Sequence, residues 1–519
     1  QPWNSVNIGP HRDIVGTWAK LARKNGLRFG VTVHAARTWD WFDVAHGSDK
    51  TGPLAGVPYD GHLTASDGAG QWWQGYDPAD LYGPYGAART PAAHAAYEQK
   101  FFNRVMDLTS SYHPDLLYFD DGEPPTSYGL EIAANYYNQN QSWHNGDLQA
   151  VLTVKSNEDR IKKAMVLDYE RGRSNWTAPE AWQTDTCIGQ WHYDVNVFKN
   201  HQYKTADQVV KMLIDIVCKN GNLLLNIPLP GDGKPDSDEI QFLRQMASWM
   251  RVNGEGIFGT RPWTFPGEGP TRMRGGGFSE GGESRLGPQD FRFTKKGNTL
   301  YAFSMGWPTD GRYVIHSLAA GGFGGGSVSG VRLLGSSAKL RWSQTPEGLV
   351  VELPTQKPCD YAYCLEIQGL DVAHSQPAPP TIMVPTVKVG TDGTLHLVPH
   401  DAMLKGNVQV QSGSLENIGY WDNPDDRVSW KVDFPSAGTY EVTCQVATQG
   451  SGTSFVVDAG YGASSPISVP DTGNWDKFVT VTGRVNVGSA GPTTVTFRPA
   501  GAIGWKPMNL AGVELRERW

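Results

Sequence analysis

No uninterrupted apolar segment of this chain approaches the roughly 20 residues that a membrane span requires. With a mean hydropathy of −0.42, the sequence predicts a soluble protein. Basic residues are outnumbered, 45 Lys and Arg against 53 Asp and Glu, for a net charge of −8. That balance argues against nucleic-acid and anionic-membrane partners, which reward basic stripes. Cysteine is scarce: Cys187, Cys218, Cys359, Cys364 and Cys444 have neither a metal-ligand spacing nor the density of a disulfide framework. Cys359 and Cys364 could bridge a bulge or hairpin, and two reduced strand thiols fit equally well. No Gly-x-Ser-x-Gly elbow is present, which removes the usual serine hydrolase. Gly254-Glu-Gly256 and Gly275-Gly-Gly277 lack the flanking strand and helix of a phosphate loop and read as turns. His192 and His201 have no convincing metal partners, and no metal or organic cofactor is expected. No signal peptide is visible, but the chain opens inside what reads as domain sequence, so location is not decided there.

What is abundant is Trp (19) and Gly (61), aromatic faces beside permissive loops, a composition suited to holding neutral sugar rings. At 519 residues the chain is too long for one core. The first half alternates helices and strands. Helical spacing of Ile14, Val15, Trp18, Leu21 and Ala22 predicts a helix over Arg12–Asn25, followed by a buried strand from Leu27 to His34. A helix over Ala93–Leu108 precedes a strand at Leu116–Phe119, and further strands are predicted at Leu148–Val154 and Ala164–Tyr169. Thr205 and Gln208 have capping-box spacing before a helix that ends at Asn220-Gly221, and the strand Asn222–Ile227 and a helix over Asp238–Val252 complete the series. Such alternation implies α/β architecture with a parallel sheet, at this length a TIM-like (β/α) barrel.

After Pro262 the grammar changes to short alternating segments: Thr299–Met305, Val331–Leu334, Leu349–Leu353 and Ala362–Ile367. A Pro-punctuated linker and a second such module follow, with strands at Val428–Phe434, Thr439–Ala447, Ser454–Val457, Phe478–Val481 and Thr493–Phe497. The expected organisation is a barrel over 1–261, a β-sandwich over 262–370, a linker over 371–390 and a C-terminal β-sandwich over 391–519.

The run His113-Pro-Asp-Leu-Leu-Tyr-Phe-Asp-Asp-Gly-Glu-Pro-Pro125 carries the chemistry. An apolar strand delivers Asp120 and Asp121 into a Gly/Pro loop, as parallel sheets present reactive groups at strand carboxyl ends. A turn cap explains either aspartate equally well. Glu170 also lies where a strand meets glycine, so two carboxylates can converge at one rim, which suits glycoside hydrolysis. An ion pair with Arg171 or Arg173 is the plainer account of Glu170 alone. His34, Trp39 and Trp41 follow one strand end, and Trp191, His192 and Tyr193 follow Thr184–Gly189; they suit a sugar subsite, although aromatics at strand ends more often cover a core. Trp72 and Trp73 read as lid or surface residues. Tyr420, Trp421, Trp475 and Trp505 read as stacking residues of the last module or, more simply, as its core.

Four segments in order resemble one family: His113–Gly122, Trp182-Gln-Thr-Asp-Thr-Cys-Ile-Gly-Gln-Trp-His-Tyr193, Asn220-Gly-Asn-Leu-Leu-Leu-Asn-Ile-Pro228 and Val252-Asn-Gly-Glu-Gly-Ile-Phe-Gly-Thr-Arg-Pro-Trp263. Together they are similar to the α-L-fucosidases of glycoside hydrolase family 29 over about residues 3–263, with the family's β-sandwich to about 370. The C-terminal module resembles carbohydrate-binding sandwiches loosely. The resemblance implies a retaining double displacement with Asp120 as nucleophile. Glu170 is the acid/base by position, with Glu180 and Glu158 as alternatives. It also puts Tyr118 where the family has a sugar-contacting tryptophan, and with His34, Trp39, Trp191, His192 and Trp263 this completes the set of expected sugar contacts. Two strands that precede this region in the family, with a histidine-rich motif, are not in the sequence, so a barrel lacking its first strands, a fragment or processed form, is expected. The implied function is exo-acting removal of terminal α-L-fucose from a fucosylated oligosaccharide or glycoconjugate by a secreted or periplasmic enzyme. The alternatives are a non-catalytic carbohydrate-binding protein with a degenerate barrel, and a retaining glycosidase of other sugar preference.

Overall fold

The computed structural model describes residues 2–120, 128–156, 161, 163–271, 273, 275–321, 326–376, 386–390, 392–405, 408–411, 415–450, 452–502 and 504–518. Asp121, Glu158 and part of the expected linker fall outside them. The chain divides into two compact units, Gln1–Ala378 and Pro379–Trp519.

The first unit opens with helix α1 (Ile14–Lys24) and builds one all-parallel sheet. Its strands are β1 (Gly30–Val33), β2 (Leu116–Phe119), β3 (Val151–Val154), β4 (Val166–Glu170), β5 (Trp182–Cys187) and β6 (Gly221–Asn226), adjacent in sequence order. Helices α2 (Pro91–Tyr112), α3 (Tyr128–Trp143), α4 (Ala206–Val217) and α5 (Ser237–Asn253) accompany it. Among the described residues this is half of a barrel, an open six-stranded sheet, rather than the closed form that the alternation suggests. Local chemistry sets the helix starts. Thr205 and Gln208 form the expected capping box of α4, and Asp236 with Glu239 does the same for α5.

One face of the sheet is apolar. Leu117, Phe119, Leu152 and Val154 pack with Phe101 and Val105 of α2 and Ile132 and Tyr136 of α3, each such burial contributing about 1.5–3 kcal/mol. Period-two alternation puts Tyr118, Thr153 and Asp168 on the other face. Two expectations need correction here. β1 is shorter than the predicted strand and only half-buried, because it is the sheet's edge. The apolar stripe of α1 faces outward, with Trp18 64% exposed and only Ala19 buried, because no described element covers it.

The rest of this unit is a sandwich around a single core. A five-stranded antiparallel sheet (Gly330–Leu333, Tyr363–Gln368, Thr299–Ser304, Phe291–Lys296, Arg261–Glu268) shares that core with a three-stranded one (Arg312–Ile315, Gly348–Glu352, Arg341–Thr345). Trp263 is 1% exposed within it, against Phe265 and Phe293, so the expected sugar contact at Trp263 is corrected to a packing role. All five cysteines are free thiols, which decides the open question at Cys359 and Cys364. Asp215 of α4, with no exposed surface, joins the two layers. Arg292 Nε, on a sandwich strand, donates to it at 2.6 Å, Lys219 Nζ at 2.7 Å, and Arg173 lies 3.7 Å away.

The second unit holds two six-stranded sheets around Trp430, Phe434, Phe455 and Phe497. Trp421 is fully buried there, and Trp505 Nε1 donates to its carbonyl at 3.0 Å. Trp421 is therefore a core residue, whereas Tyr420 and Trp475 are exposed.

Candidate functional site

Strand register builds the site. Thr32, Tyr118 and Thr153 are neighbours across β1, β2 and β3. Two residues further on, and so on the same face, come His34, Asp120 and Lys155, each just past the carboxyl end of its strand. Asp168 and Glu170 of β4 and Asp185 of β5 share this face, with Glu170 and Asp185 paired in register. A ring of ionisable side chains thus forms at one end of the sheet.

Lys155 is its centre. Its ammonium donates to Asp120, to Asp185 at 3.1 Å and to Glu170 at 3.2 Å, with Asp168 at 3.9 Å. Burial works against the lysine's charge, but the Asp120 and Asp185 carboxylates outweigh it and hold Lys155 above the ordinary lysine range. Burial likewise pushes Asp120 up, and the hydrogen bond and charge of Lys155, with His34 behind them, reverse this and leave its carboxyl below the usual range. His34 Nε2 lies 3.4 Å from Asp120 Oδ2, the oxygen turned away from Lys155. Asp120 is therefore an ionised, part-exposed carboxylate.

Beneath it the balance is reversed. The Tyr118 hydroxyl donates to Asp168 at 3.0 Å and reaches Asp185 at 3.2 Å, while Gln183 Nε2 donates to the other Asp168 oxygen at 2.9 Å. Burial first, and the Asp185 carboxylate second, push Asp168 up to about 8, so Asp168 keeps a proton at neutral pH. The same burial and acids push the Tyr118 phenol far up. Tyr118 is thus a buried support below Asp120 and not an open contact surface.

A loop from beyond the sheet closes one side. Arg171 pairs with Glu280 at 3.0 Å, Lys204 reaches Glu280 at 3.1 Å, and the Thr186 hydroxyl donates to it at 2.6 Å. Burial opposes the Glu280 charge, and Thr186, Lys204 and Arg171 outweigh it to hold the carboxyl low. The Arg171 guanidinium also lies 4.7 Å from the ring centroid of Trp191, which is partly exposed.

Of the residues predicted from sequence, Asp120, Glu170, His34 and Tyr118 are brought together, and Trp191 lies one residue's reach from Glu170 through Arg171. His192 is exposed next to Trp191. Trp39 instead packs against His94 and Tyr97 with Arg89 over its ring, on the helix side of the β1 loop. Glu180 is exposed two residues before β5, at the end of the sheet opposite Asp120, which removes it as a partner. Trp72 and Trp73 join Trp3 and Tyr76 in a separate aromatic cluster. Sequence reasoning missed Lys155, Asp168 and Asp185. The rule that singled out Asp120, a polar residue just past an apolar strand, applies to Lys155 after Val151–Val154. Among the described residues no three His, Cys, Asp or Glu side chains are grouped to hold a metal ion.

Comparison with known proteins bears on this arrangement. Residues 1–255 match the family model "Alpha-L-fucosidase", residues 288–368 "Alpha-L-fucosidase C-terminal domain" and residues 404–517 "Carbohydrate binding module (family 6)". An alpha-L-fucosidase of Branchiostoma floridae is 26% identical, with 71% of this chain and 70% of the relative covered. The human tissue alpha-L-fucosidase is 23% identical over 71% of this chain and 67% of its own length. Among solved structures, an alpha-L-fucosidase from Vibrio sp. strain EJY3 aligns with all of this chain and 81% of its own at a TM-score of 0.50; at 15% identity this speaks to the fold alone.

Proposed function

This chain belongs to the α-L-fucosidase family, and from that premise we propose that it releases terminal α-L-fucose from glycans by a retaining double displacement, with Asp120 as nucleophile and Glu170 as acid/base. One observation carries the reading: Asp120 and Glu170, from different strands, bond the same Lys155 ammonium. Two oxygens hydrogen-bonded to one nitrogen are separated by no more than two hydrogen-bond lengths, about 6.4 Å. That is below the roughly 6.5–9.5 Å of an inverting pair, which must leave room for water, and is compatible with the about 5–5.5 Å of a retaining one.

In the first step Asp120 Oδ2 attacks the anomeric carbon while Glu170 gives its proton to the departing glycosidic oxygen, leaving a fucosyl-enzyme ester. In the second, Glu170 takes a proton from water, the water oxygen attacks the same carbon, and the Asp120 carboxylate leaves with α-configured fucose released. Lys155 keeps Asp120 ionised between turnovers, and the proton held by Asp168 limits the negative charge beneath it. The module over 404–517 then holds the polymer, with exposed Tyr420 and Trp475 as stacking surfaces. Since fucosylated polymers are mostly extracellular, the reading places the protein in the periplasm, at the cell surface or in the medium.

The test uses the full-length protein and an aryl α-L-fucoside. Asp120→Ala is expected to lower turnover by about 10⁴-fold or more, and added azide to restore aryl release with a β-fucosyl azide as product. Equal turnover in parent and variant defeats the assignment. Glycan binding with no hydrolysis by the parent supports the competing, non-catalytic reading.

A further inference from the structure

The loop 275–283 belongs to the sandwich side of the chain, yet it is built into the strand end that carries Glu170. Gly276 and Arg173 exchange backbone hydrogen bonds at 2.8 and 3.2 Å, and Glu280 N–H donates to the Arg171 carbonyl at 2.8 Å. A side chain at Gly172 would meet the Gly276 oxygen at 2.0 Å, so only glycine permits this approach. Glu283, nearly fully buried, pairs with buried Arg173, and Asn175 accepts from Gly275 N–H at 2.6 Å.

On this clamped frame Phe278 is held at φ +51, the left-handed region that a bulky residue adopts only when its surroundings enforce it. Its N–H donates to the carbonyl of Glu170 at 2.7 Å, and yet the residue is 68% exposed. A lone exposed phenylalanine needs no explanation. One locked in strained backbone and tied directly to the proposed acid does, since neither the strain nor the exposure stabilises the fold.

We propose that Phe278 is a specificity-determining residue that stacks on the leaving group of the substrate. The inference rests on Glu170 being the acid. That group must sit beside the glycosidic oxygen, so what flanks it flanks the aglycone. Arg171, the next residue, carries Trp191 on the same loop clamp, which gives the aglycone two aromatic neighbours. The chemical class recognised is a ring-bearing aglycone, a second pyranose above all, held by its apolar C–H face.

The experiment compares kcat/KM for an α-L-fucosyl-galactose disaccharide with that for α-L-fucosyl fluoride, whose leaving group has no ring. In Phe278→Ala the disaccharide-to-fluoride ratio is expected to fall about tenfold, mostly through KM, and Phe278→Trp to restore it. A ratio within about twofold of the parent's, or an equal fall in the alanine and tryptophan variants, overturns the proposal. A parent protein that hydrolyses neither substrate sinks the hydrolase reading and this proposal with it, whereas activity with an unmoved ratio sinks the proposal alone.

Discussion

Two knots of charge lie within the first unit, built in opposite proportion. Around Lys155, four carboxylates face one ammonium at a partly open strand end. Around Asp215, three cations surround one carboxylate with no solvent contact. Around Lys155 the protonation states are driven apart: against burial, the Lys155 hydrogen bond and charge hold Asp120 below the ordinary range, while burial first and the Asp185 carboxylate second raise Asp168 above it. At Asp215 burial alone would favour the neutral acid, but Lys219, Arg292 and Arg173 overwhelm it and the carboxyl is held far below its usual range. One arrangement supplies groups of different proton affinity side by side, as acid–base work requires. The other locks a single state and staples the parallel sheet to the sandwich.

That contrast can be broken from either side. Glu170→Gln should lower kcat/KM on an unactivated fucoside by about 10²–10⁴-fold, and by much less on fucosyl fluoride, whose departure needs no proton; equal losses on both would remove the acid role. Asp215→Asn should leave buried Lys219 and Arg292 without the carboxylate they bond, Arg173 keeping Glu283, and cost about 3–5 kcal/mol of stability, read from urea unfolding. An unchanged midpoint would show the staple to be idle. Lys155→Met takes the cation from Asp120, so the acid limb of the kcat/KM profile should move to higher pH, and a fixed limb would show that Lys155 does not set the ionisation of Asp120. The smallest effect is expected from Asp168→Asn. The folded chain binds the Asp168 proton more tightly than the unfolded chain, so its stabilising contribution is complete below the unfolded carboxylate range near 4 and lost as pH rises toward 8. The asparagine variant should therefore gain stability relative to the parent at pH 8 compared with pH 5, and equal differences at both would contradict the proton on Asp168.

The fold was legible wherever a pattern is local. The strand before Asp120, the Thr205 capping box and the helix predicted over Asp238–Val252 rest on neighbours a few residues apart, and the sandwich strands Thr299–Ser304 and Gly348–Glu352 lie within a residue of where alternation put them. Helix α3 and strand β5 escaped notice. The first mixes Tyr, Asn and Gln through its apolar positions, and the second interleaves Thr and Asp with few hydrophobes. Trp263 was misplaced for another reason: a tryptophan near a strand end reads as a contact surface until its neighbours are known, whereas Trp421 lies in the core as the simpler of its two readings had it.

Sequence by itself determined that Asp120, Lys155 and Glu170 come at the ends of successive strands, because side-chain alternation and strand length are properties of short stretches of backbone. Only the tertiary structure decided that these ends meet at one nitrogen, that Asp168 keeps a proton while Asp120 does not, and that a loop from beyond Pro262 reaches Glu170. Register between strands, burial and the summed field of neighbouring charges depend on residues far apart along the chain, and they exist only once the sheet has assembled.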